Sequence, residues 1–97
     1  MHCIVSYDIK DGPLRRTIEQ EVQNAVSIHP AVRPLTTFYI VQILFSGDYK
    51  NLTDRLLGIA KNYPSQLNFV VSPPIQGGGY QGWLPREMWD QIATRTR

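Results

Sequence analysis

Several residue types are scarce in this chain, and each scarcity removes a class of function. There is one cysteine, Cys3, so no disulfide can close within the chain and no zinc knuckle can form. Cys3 therefore reads as a small buried hydrophobe. The two histidines, His2 and His29, are far apart and have no metal-ligand spacing. Ser6, Ser27, Ser46, Ser65 and Ser72 lack a nucleophile-elbow context and a histidine partner, which removes serine hydrolase chemistry. The Gly77-Gly78-Gly79 run follows Pro73-Pro74 and lacks a P-loop lysine, so it reads as a turn or hinge. No apolar run approaches the roughly 20 residues that cross a bilayer. No secretion signal is visible either, so the expected setting is cytoplasmic, with no membrane partner. Charge of one sign is also in short supply: the formal net charge is +2, well short of a nucleic-acid-coating protein. Seven of the ten basic residues are arginines, the better bidentate phosphate ligands, but they are scattered along the chain.

What is present is a regular alternation of patterns. His2 to Ile9 alternates Cys3, Val5 and Tyr7 with Ile4, Ser6 and Asp8, as a strand covered on one side does. Pro13 suits a first helical turn, and Leu14, Ile18, Val22, Ala25 and Val26 keep helical spacing until Pro30 forbids continuation. Ala31 to Leu35 and Thr36 to Phe45 read as two strands, with Pro34 consigning the first to a sheet edge. Ser46-Gly47-Asp48 leads into a second helix carried by Tyr49, Leu52, Leu56, Ile59, Ala60 and Tyr63 and stopped by Pro64. Leu67, Phe69 and Val71 alternate in a fourth strand. The resulting order, β-α-β-β-α-β, predicts an α+β ferredoxin-like sandwich. Residues 1–97 make one such domain, in which 73–97 form a C-terminal extension: a Gly-rich loop and a short helix over Trp83 to Ile92, with Pro85 in its first turn.

Asp8 is the residue that suggests chemistry. A carboxylate at a strand end can ligate magnesium, which keeps several waters and needs only one or two protein carboxylates. Two copies facing one another across a homodimer axis would supply two. The alternative is that Asp8 accepts hydrogen bonds from the turn that follows it. Asp11, before Gly12-Pro13, reads as a helix-capping residue. Arg15 and Arg16 open the first helix, where backbone N–H groups also favour anions, and are the candidate nucleic-acid contacts; the alternative is a solvated helical face. Tyr7, Phe38 and Tyr39 would stack unpaired bases if they faced outward, although adjacent residues 38 and 39 must point to opposite faces. Trp83, Met88, Trp89 and Ile92 have the composition of interface anchors, docking either on their own sheet or on a partner's.

The residues Val5-Ser6-Tyr7-Asp8, the Arg15-Arg16 helix start and Thr37-Phe38-Tyr39-Ile40-Val41 resemble the small CRISPR-associated Cas-two family. The Gly82-Trp83-Leu84-Pro85 and Trp89 tail is similar to its SinR-like relatives. The resemblance implies a ferredoxin-like homodimer that binds RNA or DNA, with Asp8 in the place of the family's strand-end aspartate. It implies either a magnesium-dependent endoribonuclease or endodeoxyribonuclease, with Asp8 both catalytic and metal-binding, or a non-enzymatic dimeric scaffold or protein-interaction module. Gly12-Pro13 and the C-terminal segment depart from the family pattern.

Overall fold

A computed structural model describes residues 1–96; Arg97, the last residue of the extension, lies outside the described residues. The elements are β1 (His2–Ile9), α1 (Arg15–Ser27), β2 (Ala31–Leu35), β3 (Phe38–Gln42), α2 (Asp48–Asn62), β4 (Leu67–Val71) and α3 (Arg86–Arg95). The four strands form one sheet in the order β2-β3-β1-β4, with every neighbouring pair antiparallel. This is the ferredoxin-like α+β arrangement that the element order predicts.

The strand pattern sets both faces. On β1, Cys3, Val5, Tyr7 and Ile9 point to one side and are buried among Ile18, Val22, Ala25 and Val26 of α1 and Leu52, Leu56 and Ile59 of α2. Their neighbours His2, Ile4, Ser6 and Asp8 therefore point to the other side. The register carries this alternation across the sheet: Ser6 lies opposite Phe38 on β3 and Val70 on β4, and Asp8 lies opposite Asn68. Central β1 is thus read on two faces with different covers.

Some boundaries move from the sequence reading, each for a local reason. α1 begins at Arg15, two residues after Pro13, because the Arg15 N–H bonds back to the Gly12 carbonyl in a separate turn (3.2 Å). Leu14 then occupies the cap position and is exposed rather than joining the apolar stripe. Asp11 makes no cap hydrogen bond; it pairs with the Arg15 guanidinium four residues on. Thr36 and Thr37 form the two-residue turn between β2 and β3, so β3 starts at Phe38. Asp48 is the first helical residue of α2, and its carboxylate accepts the Phe45 N–H (3.0 Å). Gly47, at φ +92°, takes the cap position in a left-handed conformation open to glycine. Pro34 sits on β2, an edge strand, where register breaks between Val32 and Leu35.

The extension folds back over the second face. Ile75 bridges to His2 through both backbone hydrogen bonds (2.9 and 2.7 Å). Beyond the glycines, α3 lies against β2 and β3. Ile92 is buried with Val32 and Ile40 in a second apolar cluster, flanked by Ile4, Phe38, Tyr80, Leu84, Met88 and Trp89. No helix among the described residues is long and apolar enough to cross a membrane.

Candidate functional site

The extension covers β2, β3 and the start of β1 at His2 and Ile4, and the second face stays open where the end of β1 meets β4. Ser6, Asp8, Asn68 and Val70 are all exposed there. With Tyr7 and Phe69 they line a shallow depression of about 260 Å³. The Asp8 carboxylate makes no hydrogen bond or ion pair among the described residues; in particular, the turn after β1 does not bond to it. The backbone at that turn is engaged elsewhere, since the Lys10 N–H donates to the Gln66 carbonyl (2.8 Å). Asp8 is thus held by two flanking strands while its acidic oxygens remain uncommitted.

Asp8 is the sole charged residue lining the depression, with Ser6 and Asn68 adding neutral oxygens. No group of three or more His, Cys, Asp or Glu residues able to hold a metal occurs among the described residues. Within one chain, Asp8 is the single carboxylate that this depression presents.

Arg15 and Arg16 do not line this depression. They open α1, which packs on the opposite layer, although the short β1–α1 connection keeps them at the same end of the sheet. The Arg15 guanidinium is tied to Asp11, while Arg16 is exposed and has no ion pair among the described residues. The interface candidates separate in the same way. Met88, Trp89 and Ile92 pack on the chain's own sheet, whereas Trp83 is 98% exposed.

The three candidate stacking aromatics are all removed from the open surface. Tyr7 and Tyr39 are buried on the helix side and stack with ring centroids 6.1 Å apart; Phe38 lies beneath the extension. At the edge of the helix-side core the tyrosines join a polar network. The Tyr7 hydroxyl donates to Glu19 Oε1 (2.8 Å), and Arg33 Nη2 donates to both the Tyr7 oxygen (3.0 Å) and Glu19. Arg33 also lies over the Tyr39 ring, 5.2 Å from its centroid. Burial, reinforced by the Glu19 hydrogen bond and charge, pushes the Tyr7 hydroxyl far above its ordinary pKa. The network is structural: it satisfies every charged group that it brings inward. Helical spacing places Glu19 on the polar side of α1, and its position next to buried Ile18 was the one signal that it lies at the stripe's border.

His2 is a second residue that strand alternation alone does not explain. Its ring is fully buried under the extension, with Nε2 on the Tyr80 hydroxyl and Nδ1 without a partner. Burial, followed by the nearby N-terminal charge, holds its pKa below the ordinary value. Cys3, buried on the helix side, has its thiol pushed up to about 11 by desolvation and is chemically quiet.

No protein-family model matches the chain, and none of the curated proteins matches it in sequence. Among solved structures, the fold is similar to that of Cas2 from Streptococcus pyogenes. The TM-score is 0.59 at 14% sequence identity, and the match covers 95% of this chain and 94% of that one. The likeness is one of fold, and it extends over nearly the full length of both chains.

Proposed function

We propose that this chain is a Cas2-like, CRISPR-associated protein that works as a homodimer on nucleic acid, with phosphodiester cleavage at a magnesium site completed by two copies of Asp8. The observation that carries the reading is the uncommitted Asp8 carboxylate on the open half of a Cas2-like sheet. A carboxylate there to cap a turn would be bonded to that turn; Asp8 is not. Its neighbours Ser6 and Asn68 supply neutral oxygens that can hydrogen-bond to metal-bound water or to a substrate hydroxyl.

The division of labour follows from charge. Bound magnesium would supply an electrophile for the phosphate and lower the pKa of its water. Asp8 would anchor and orient that centre from each subunit, with rigid strands setting its position. Arg16, with Arg15 when released from Asp11, would meet the phosphate backbone from the rim of the same sheet end, positioning the strand without reading its bases. The chain's small net positive charge implies few such contacts, and hence a shallow dependence of binding on salt.

The test is cleavage of single-stranded and duplex RNA and DNA with and without magnesium. Asp8→Asn is expected to abolish magnesium-dependent cleavage by roughly a hundredfold or more while leaving the dimer intact. Full activity in that variant would remove Asp8 from the chemistry and leave the non-enzymatic scaffold reading.

A further inference from the structure

The extension builds a second cavity on the same face, and the residue beside it is exposed to an unusual degree. Between the β2–β3 turn and the extension lies an apolar hollow of about 260 Å³, walled by Leu35, Phe38, Ile40, Leu84 and Trp89. Trp83 stands at its rim and is 98% exposed, although its indole is as large as that of Trp89, which packs inside. Leu35, also on the rim, is 57% exposed. A hollow the size of one large side chain and a protruding indole thus share one patch.

We infer that this patch binds a second copy of the chain, with Trp83 of each copy seated in the apolar hollow of the other. The inference rests on the dimer reading above and supplies its contact surface. A two-fold dimer requires a self-complementary patch carrying both knob and hole, and that is what Trp83 and the hollow provide. Two reciprocal tryptophans bury only about 300–500 Å² between them, below the roughly 1,200 Å² of a stable interface. The contact must therefore extend beyond the tryptophans onto the adjoining face. Phe38, in the hollow, lies opposite Ser6, which lies opposite Val70 on β4. Val70 is 71% exposed, so the strip continues from the hollow to the Asp8 depression along one line across the sheet. A copy seated on Trp83 therefore overlies the half of the face that carries Asp8.

The test is sedimentation equilibrium of the wild-type chain, Trp83→Ser and Leu35→Glu, with thermal melts followed by circular dichroism. Wild type is expected at twice the 11.1 kDa chain mass. Each variant is expected to weaken the dimer by at least about thirty-fold while still melting cooperatively as a folded chain, because both side chains are exposed at the rim. A dimer of undiminished affinity in Trp83→Ser would overturn this surface while leaving the Asp8 proposal standing. A wild-type monomer at high micromolar concentration would overturn both. Monomeric Trp83→Ser together with fully active Asp8→Asn would support the surface and remove the catalytic reading. Trp83 emission that responds to single-stranded RNA in a monomer, and not to protein concentration, would make the indole a base-stacking platform and overturn the second copy as its occupant.

Discussion

The two faces of β1 differ in how they are closed, and that difference separates stability from function. The helix-side face is completed by α1 and α2, elements within the β-α-β-β-α-β unit, and its side chains Cys3, Val5, Ile18, Val22, Leu52 and Leu56 are fully buried. The second face is completed from outside that unit, by a segment that returns through a glycine-rich loop and covers β2, β3 and the start of β1. What remains uncovered carries the polar Ser6, Asp8 and Asn68 beside the exposed Val70. A face fully sealed by its own helices has no room for chemistry, whereas a half-sealed face keeps a rigid carboxylate in contact with solvent. The extension thus acts as a partial lid that decides which half of the sheet another molecule can reach.

The largest effect expected from breaking this contrast lies on the sealed face. Leu56→Ala removes a fully buried side chain between α2 and the sheet and is expected to cost about 2–5 kcal/mol of global stability in chemical denaturation. Ile92→Ala acts on the other cover. Its cost is expected to be smaller, roughly 1–3 kcal/mol, because α3 can release without unfolding the sheet. Hydrogen exchange should then accelerate over 76–96 while the amides of β1 and β3 stay protected; loss of protection throughout would show that the two faces fold as one unit. Arg33→Ala leaves Glu19 and Tyr7 without their shared donor at the edge of the sealed face. With the Arg33–Glu19 pair partly exposed, about 1–2 kcal/mol is expected, read as a lower melting temperature.

A smaller effect is expected from pH on the extension. His2 is buried with its pKa below the ordinary 6.5, so the unfolded chain binds more protons than the folded one as pH falls through that range. The stability that His2 contributes is complete above about pH 6.5 and is lost as pH drops through its lowered folded value. The melting temperature should therefore fall on acidification, and His2→Gln should flatten that slope. The smallest effect belongs to Asp8→Asn. With no internal partner to lose, it should change stability by no more than about 0.5 kcal/mol, so any loss of activity would be assignable to chemistry rather than folding.

The sealed face was the legible one. Apolar positions at period two in β1 and at helical spacing in α1 and α2 name nearly every residue of the helix-side core, and Pro34 locates the edge strand. Local patterning carries that information because each element's stripe needs only one neighbour to bury it. The second face depends on where a separate segment lands. Met88, Trp89 and Ile92 show the composition of anchors, but composition does not distinguish a chain's own sheet from a partner's. For the same reason the burial of His2 under Tyr80, 78 residues away, leaves no mark at the strand's start. Asp8 was visible as a strand-end acid; that the following turn leaves it unbonded is a property of three-dimensional placement. The Glu19–Arg33–Tyr7 network was hidden because each member sits among polar neighbours in sequence.

The central claim is that Asp8 is half of a site and that a second chain brings the other half. It is tested most directly by Asp8→Cys under mild oxidation, with a short bifunctional thiol reagent in parallel. A disulfide forms only when the two Cα atoms approach within about 7 Å, and the native thiol, Cys3, is fully buried and chemically quiet. The account predicts a covalent dimer on non-reducing electrophoresis for Asp8→Cys, absent from the wild type and lost when Trp83→Ser is added. A protein that sediments as a dimer, yet whose Asp8→Cys variant forms neither the disulfide nor the short cross-link, would contradict it.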